Sequence, residues 1–235
     1  MRSCLIQIVI MVAVVFCLLW FGLPFGVSAL ATAALNATGF SGTDTKVEVS
    51  ASPPFMLLTG HADTIRIRSA DARMGNLEAS DIDVTLGSVE LLSRDIGTVT
   101  GTLDGVRVAA PNGDPIAIDK VTLQGSATAT IATATLTVAE AGTLAETQLK
   151  AQTGIVAKVT VKGPNVVTIT VGSKSQAGRL LTSNGSLLLV PNSNTMPTVT
   201  LMAPGTANPL SVTSVSVGTS EVTLVGTIDI QNLLS

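Results

Sequence analysis

The chain has 235 residues, a formal net charge of −3 and a charged fraction of only 12%. This balance provides no basic surface for nucleic acid, which excludes nucleic acid as a partner class. Aromatic residues make up 3%, with no Tyr, one Trp, and five Phe that all lie at or before residue 55. The interior of any later domain must therefore come from Val, Leu, Ile, Ala and Thr, which include the strongest strand formers.

The N-terminal run Cys4–Phe25 is apolar apart from Gln7. About 20 residues at about 1.5 Å each span the roughly 30 Å core of a bilayer, so the run predicts a transmembrane helix. Arg2 precedes the run and no Lys or Arg follows it until Lys46. The positive-inside rule then predicts a cytoplasmic N-terminus and an extracytoplasmic location for residues 39–235.

Two alternatives remain for the fate of this run. Val27-Ser28-Ala29 and Ala29-Leu30-Ala31 resemble signal-peptidase sites, and cleavage there would make the protein secreted. The apolar core of about 20 residues exceeds the roughly 7–15 of a signal peptide, which favours a retained single-pass anchor. Cys4 and Cys17 are the only cysteines, so the exported part has neither a disulfide framework nor a thiolate metal site.

The Ala-rich stretch 28–38 has Leu30, Ala34 and Leu35 at helical spacing and predicts an extension of the anchor helix. Residues 1–38 are therefore interpreted as the anchor and its extension. The remaining 39–235, about 195 residues, are enough for a single domain with a substantial core.

Strand patterns begin at Lys46–Val49. Thr64–Arg68 and Asp81–Leu86 both alternate apolar and polar residues, which is typical of half-buried antiparallel strands. The residues predicted to face inward on these two strands are Ile65, Ile67, Ile82, Val84 and Leu86.

A local unit recurs at residues 77–82, 103–108 and 118–123. In each, an apolar residue is followed by a short polar break and then by apolar alternation in a shifted phase. A shift of one residue turns side chains to the other face unless a bulge absorbs it. The pattern therefore predicts bulges and a strongly curved sheet.

Turn signals at Pro111–Asp114, Gly163–Asn165 and Asn184-Gly185 predict a meander of hairpins. One helix is predicted at Ala139–Gln152, closed by Gly154.

The stretch from Ala127 to Val138 predicts a strand of small residues. After Pro191 the chain predicts a loop around one edge strand, Val199–Met202, and a last hairpin at Gly218–Ser220. The predicted fold is mainly β, a β-rich α+β arrangement in which a strongly curved, bulged antiparallel sheet wraps a short helix.

Signals for catalysis are weak. His61 is the only histidine; without a second His or an exported Cys it has no partners for a zinc site or a nucleophilic triad, so we expect a surface-loop histidine. The acidic residues Asp81, Asp83, Asp95 and Asp104 fit solvated strand faces, because the chain has no Asp-x-Asp-x-Asp-Gly calcium loop. No phosphate-binding glycine loop and no G-x-S-x-G elbow is present. We predict no catalytic residue, metal or cofactor, and no enzyme activity.

Two prolines precede a compact apolar group, which is unusual for a solvated loop. We expect this group to be buried or in contact with lipid; it comprises Phe55, Met56, Leu57 and Leu58. The nearby cations Arg66, Arg68 and Arg73 are either solvated strand charges or partners of anionic lipid headgroups.

Residues 54–91, PFMLLTGHADTIRIRSADARMGNLEASDIDVTLGSVEL, resemble the LmeA-like family of bacterial phospholipid-binding proteins. That family shares a Pro-Phe-(x)-Leu-x-Gly entry followed by short β units. The resemblance continues through 101–108 and 118–121 and more loosely to 225–229, covering about residues 30–232. It implies a cell-envelope protein that binds phospholipid in an apolar groove of a fold similar to the tubular lipid-binding class.

Our first hypothesis is thus a membrane-anchored, extracytoplasmic phospholipid-binding protein that serves lipid transfer or envelope lipid biogenesis, located in the periplasm or on the cell surface. Phe55–Leu58 would form the mouth of the groove. The five inward-facing residues of the two strands would line it, and Arg66 and Arg68 would contact the headgroups. The alternative is a structural or adhesive β domain with a filled core. A hydrolase of envelope lipids or glycans is a third, which would require His61 to meet a Ser or Asp in a pocket.

Overall fold

The computed structural model describes residues 40–74, 77–109, 115–193, 195–204 and 210–233. Of these residues, 66% lie in strands, which form two antiparallel sheets accompanied by two α-helices. The prediction of a mainly β fold is confirmed.

The larger sheet has eight strands. In chain order these are β1 (Ser41–Ser50), β2 (His61–Met74), β3 (Leu77–Glu90), β4 (Asp95–Ala109), β5 (Pro115–Ser126), β6 (Ala129–Thr137), β12 (Ser211–Val217) and β13 (Glu221–Ile228). They are arranged as β1-β2-β3-β4-β5-β6-β13-β12, so six consecutive strands form a meander that the C-terminal hairpin extends.

The second sheet has five strands in the order β11-β10-β9-β8-β7. Their bounds are β7 (Lys158–Lys162), β8 (Val166–Val171), β9 (Lys174–Ser183), β10 (Ser186–Pro191) and β11 (Val199–Met202). A 3₁₀ helix (Pro54–Thr59) joins β1 to β2, α1 (Val138–Thr153) joins the two sheets, and α2 (Ile230–Leu233) follows β13.

A capping box starts α1. The hydroxyl of Thr137 accepts a hydrogen bond from the backbone N–H of Glu140 at 3.1 Å, and the Glu140 carboxylate accepts one from the Thr137 N–H at 2.9 Å. At the other end Gly154 takes a left-handed conformation, φ 72°, and donates to the Lys150 carbonyl at 2.9 Å. This confirms the predicted helix and the glycine that closes it.

The main core lies where α1 and the second sheet meet β6, β13 and β12. Its fully buried side chains include Leu149 of α1, Ile169 and Leu189 of the second sheet, and Val212 and Val222 of the larger one. The close approach of α1 to β7 requires a glycine, since a Cβ added at Gly142 would lie 2.6 Å from the carbonyl oxygen of Val159. This end of the molecule is a layered β/α core.

Several local predictions are confirmed. Asn184 and Gly185 take positive φ values of 50° and 75° between β9 and β10, as the preferred two-residue hairpin requires. The turns at Gly163–Asn165 and after Val217, and the edge strand Val199–Met202, lie where the sequence placed them. The predicted turn at Pro111–Asp114 lies outside the described residues.

The prediction of a strongly curved sheet wrapping a helix is wrong. The sheet is not strongly curled, and α1 packs chiefly against β7 and β11 of the other sheet. Pairing keeps one constant register throughout β2–β3, β3–β4, β4–β5 and β5–β6. Register shifts occur instead at β1–β2, β10–β11 and β12–β13, each of which includes an edge strand.

The recurring sequence unit has a different cause. The inward-facing positions shift by one residue on each of several neighbouring strands at matching places, which we call the coordinated offset. On β2 the inward positions Ser69 and Ala72 are three residues apart, although side chains three apart on a regular strand point to opposite faces. The same spacing recurs between Ile82 and Ala79 on β3, between Leu103 and Val106 on β4, and between Val121 and Ile118 on β5, all packed in one cluster. Each three-residue spacing contains one more residue than regular alternation needs, and these extra residues lie opposite one another on neighbouring strands. Two of them, Asp71 and Gly105, have positive φ of 47° and 57°. Neighbouring offsets cancel, so register is preserved and the sheet does not curl.

The predicted transmembrane helix and its extension, residues 1–38, lie outside the described residues. Within the described ranges, no helix combines the length and the apolar character needed to span a bilayer.

Candidate functional site

One face of β1–β5 carries two apolar clusters connected by the Ile67–Val84 pair, and we call them together the apolar strip. In one row across the strands, Val47 pairs with Ile67, and Ile67 pairs with Val84. In the next row, Val49 pairs with Ile65, and Ile65 pairs with Leu86. Cross-strand rows of this kind form because successive side chains of a strand alternate between faces. The structure thus brings together the five predicted lining residues, Ile65, Ile67, Ile82, Val84 and Leu86.

The strip crosses β1 at Val47 and Val49, whereas residues 41–44 of that strand are exposed. At one end Phe40, the first described residue, is buried against Ala72, Ala79 and Val106. At the other end Leu57 of the 3₁₀ helix is buried against Val49 and Ile65. Ten residues of strand lie between these ends, or about 33 Å at about 3.3 Å per residue.

The strip adjoins the main core at β5, where Ile118 and Val121 pack against both. The second sheet and α1 make their main contacts with β5, β6, β12 and β13. Ile65 and Ile82 are buried, whereas Ile67, Val84 and Leu86 are only half-buried. The strip therefore keeps partly accessible apolar side chains along its middle.

Arg66 and Arg68 alternate with these residues and lie on the opposite, polar face. Arg66 donates two hydrogen bonds to Asp83, Nε to Oδ1 at 2.8 Å and Nη2 to Oδ2 at 2.5 Å. Arg68 pairs with Glu48. The hydrogen bonds from Arg66 hold the pKa of the Asp83 carboxyl below its usual value. Both guanidinium groups are thus paired on the face away from the strip, and their role at headgroups stays a prediction.

The four predicted mouth residues form the 3₁₀ helix at one end of the sheet. Leu57 points inward and is buried, Met56 is half-buried, and Phe55 and Leu58 are 51% and 64% exposed. The helix therefore buries one side and exposes the other, and contact of the exposed side with lipid stays a prediction. It ends at Gly60, whose φ of 85° allows the chain to turn into β2.

A second apolar loop, which sequence reasoning missed, lies beside the first. The β3–β4 turn presents Leu91 and Leu92, which are 42% and 86% exposed. The Leu91 N–H donates to the Gly60 carbonyl at 2.7 Å, and a Cβ added at Gly60 would lie 2.8 Å from Cγ of Leu92. In the sequence, the two adjacent leucines between β3 and β4 were the signal that could have identified this exposed apolar loop. We call the surface formed by Phe55, Leu58, Leu91 and Leu92 the apolar tip.

His61 lies at the base of the apolar tip and belongs to β2, not to a loop as predicted. Its Nδ1 is 2.6 Å from Oε1 of Glu90 and its Nε2 is 3.2 Å from Oδ1 of Asp63. The other oxygen of Asp63 accepts from the Ser52 N–H at 2.6 Å, at the approach to the 3₁₀ helix. The hydrogen bond to Glu90, helped by that to Asp63, raises the pKa of His61. A protonated imidazole donates to both carboxylates.

An open cleft of about 450 Å³ lies at the Phe40 end of the strip, where β2–β5 meet the start of α1. Its floor includes Ala72, Ala79, Val106 and Ile118. Its rim carries both signs of charge: Arg73 and Arg107, and Asp71, Glu78, Asp119 and Glu140. An apolar floor with a charged rim suits an amphipathic ligand.

Two of the four aspartates considered in the sequence, Asp81 and Asp104, are direct partners in the β3–β4 ladder, whereas Asp83 and Asp95 have other partners. Asp83 binds Arg66, Asp104 lies 3.7 Å from Lys120, and Asp95 accepts from Gln231 at 3.2 Å. In the part of the chain that the structure describes, no group of three or more His, Cys, Asp or Glu is placed to hold a metal ion.

Comparison with known proteins finds no match to a family model, to a curated protein or to a solved structure. The protein is thus a two-sheet β protein that has one elongated apolar face, with a cleft at one end of this face and the apolar tip at the other.

Proposed function

We propose that this protein is a membrane-anchored cell-envelope protein that binds phospholipid, with the acyl chains packed along the apolar strip. The observation that carries the proposal is that two apolar clusters share one face, one around Phe40 and one around Leu57, and that the Ile67–Val84 pair connects them. The acyl chains of one leaflet span only about 15 Å, half of a bilayer core of roughly 30 Å. The strip is long enough for a lipid to bind and to move along it.

Binding of this kind needs shape and apolar area, not reactive groups. Each acyl CH₂ transferred from water contributes about 0.8 kcal/mol, so contacts with Ile67, Val84 and Leu86 along a whole chain are sufficient. The charged rim of the cleft near Phe40 supplies polar partners for a headgroup through Arg73 and Arg107.

The order of elements fits an anchored protein. The predicted anchor, residues 4–25, leads to Phe40, which lies at the cleft end of the strip. Lipid would enter at this end and travel toward the tip, which supports lipid transfer or envelope lipid biogenesis as the role. The sequence resemblance to the LmeA-like family at residues 54–91 points the same way.

A photoactivatable acyl-chain phospholipid tests the proposal. The full chain is reconstituted in vesicles containing the probe, irradiated, and the labelled peptides are mapped by mass spectrometry. We expect labels on peptides of β2 and β3 that carry Ile67 and Val84, and Val84→Asp should abolish them. The matched control is Thr85→Asp, which places the same charge on the neighbouring residue of the polar face.

Labels confined to the N-terminal apolar run would contradict lipid binding by the strip. The same holds if Val84→Asp and Thr85→Asp were labelled equally, because then the apolar face would have no special role.

The second candidate is a structural or adhesive β domain on the cell surface. It is favoured by the C-terminal half of the molecule, where Leu149, Ile169 and Leu189 are fully buried between α1 and the packed sheets. A chain that captures no lipid in the labelling experiment would favour this role.

A further inference from the structure

We infer that the apolar tip inserts into a lipid bilayer apposed to the one that holds the N-terminal run. The inference rests on the proposed function only in taking residues 4–25 as the anchor. It adds a second membrane contact, made by two loops, and the direction in which the domain points from the membrane that anchors it.

The tip concentrates exposed apolar area. Its four side chains, Phe55, Leu58, Leu91 and Leu92, are between 42% and 86% exposed. Leu91 and Leu92 contact Gly60, which ends the 3₁₀ helix that carries Phe55 and Leu58. Clustered exposed apolar side chains, unlike single ones, mark a binding surface.

The tip is held rigidly from behind. The side chain of Gln231 accepts from the Ile96 N–H at 3.0 Å and donates to the Arg94 carbonyl at 2.9 Å, which fixes the β3–β4 turn. Leu57 anchors the 3₁₀ helix in the strip, and the Ser52–Asp63 hydrogen bond fixes the approach to it. The loops that carry Phe55 and Leu92 are therefore both bonded to the rest of the domain.

The chemistry of the tip fits lipid better than a protein groove. It projects from two neighbouring turns and presents one Phe and three Leu. The carboxylates behind it, Asp63 and Glu90, are both bound by His61, which moderates their repulsion of anionic headgroups. Arg94, exposed in the same turn, is placed to meet headgroup phosphates once the leucines are inserted.

The direction follows from strand β1. It runs from Ser41, next to Phe40, to Ser50, close to the 3₁₀ helix, so the tip lies at the end of the sheet opposite the chain's entry. We take the predicted anchor to hold the domain at its Phe40 end, which places the tip at the end of the sheet away from that membrane.

A tethering assay tests this inference with the full chain. The protein is added in detergent to preformed donor vesicles of phosphatidylcholine and phosphatidylglycerol, so that the domain faces outward after detergent removal. Fluorescent acceptor vesicles of the same composition are then mixed in, and their co-sedimentation with dense donors is measured. We expect wild type to capture acceptors, and Leu92→Asp and Phe55→Asp each to reduce capture by roughly tenfold or more, since burial of one such side chain changes an equilibrium by at least about that factor.

The matched control is Val156→Asp, since Val156 is 72% exposed in the segment after α1 and lies outside the tip. Its capture should equal that of wild type, and circular dichroism should show the same folded signal for all variants. Absence of capture by wild type, or equal capture by Leu92→Asp and Val156→Asp, would overturn the inference. Acyl-chain labelling of the strip in the tip variants separates the two proposals: capture without labelling refutes only strip binding, and labelling without capture refutes only the tip.

Discussion

Glu90 holds His61 across the first hairpin of the sheet, with the Nδ1 of the imidazole 2.6 Å from a carboxylate oxygen. The two residues are directly paired in the β2–β3 ladder. Asp63 binds the other ring nitrogen and also the backbone N–H of Ser52. A single imidazole therefore connects β2, β3 and the segment that leads to the apolar tip.

The first prediction concerns the titration of this imidazole. The hydrogen bond to Glu90 raises the pKa of His61 in the folded protein above its ordinary value. Because His61 is the only histidine, its ring signals in a ¹H–¹³C NMR titration are unambiguous. We expect a midpoint above about 6.5, the value in an unfolded chain, and a shift back toward that value in Glu90→Gln. A midpoint below that of an unfolded peptide would contradict the contact.

The second prediction is the resulting pH dependence of stability. A folded pKa above the unfolded one means that the charged imidazole stabilises the fold fully below about pH 6.5 and that this contribution is lost as pH rises through the folded pKa. Denaturant titrations of wild type and His61→Gln should therefore differ most at low pH and converge at high pH. Parallel curves at all pH values would exclude the linkage.

The third prediction addresses the capping box of α1. Thr137→Ala removes the acceptor of the Glu140 N–H and should lower the free energy of unfolding by about 1 kcal/mol. Thr143→Ala in the same helix is the control, because Thr143 is exposed and its hydroxyl only donates back to the Ala139 carbonyl. Denaturant midpoints should drop for the first variant and not for the second.

The fourth prediction concerns the spacing of α1 and β7. In an unconstrained helix Gly→Ala stabilises by up to about 1 kcal/mol, but a Cβ at Gly142 would overlap the Val159 carbonyl oxygen at 2.6 Å. We expect Gly142→Ala to destabilise the protein in thermal unfolding despite its higher helix propensity. A raised melting temperature would show that the helix can move away without loss.

The fifth prediction tests the main core. Leu149 is fully buried among residues of both sheets, so Leu149→Ala should cost about 2–5 kcal/mol in denaturant unfolding. Lys150→Ala, at the exposed neighbouring position, should stay within about 0.5 kcal/mol of wild type.

Local signals predicted a good part of this fold. Thr137 and Glu140 at capping-box spacing and the Asn184-Gly185 pair each determine their structure within a few residues, so the helix and the hairpin were recognisable. Alternation also placed Ile67 and Val84 on one face correctly, because the side-chain period of a strand is a local property.

Tertiary features were not predictable in this way. The coordinated offset was visible on each strand separately, but a shift on one strand predicts a bulge, and only the matching shift on its neighbours shows that register is kept. The separation of the strands into two sheets depends on non-local pairing. Likewise, His61 meets a carboxylate 29 residues away, and Leu92 joins the tip only because its turn packs on Gly60.

The coordinated offset also restricts how this sequence can change in length. Deleting Asp71 alone would move the remainder of β2 by one residue against β3 and turn Ala72 away from Ala79. Removing Ser80 as well would realign this hairpin but displace β3 against β4, where Gly105 occupies the matching position. Insertions and deletions in the meander are therefore tolerated only when neighbouring strands change together, so this sheet can be lengthened or shortened across its width but not in one strand at a time.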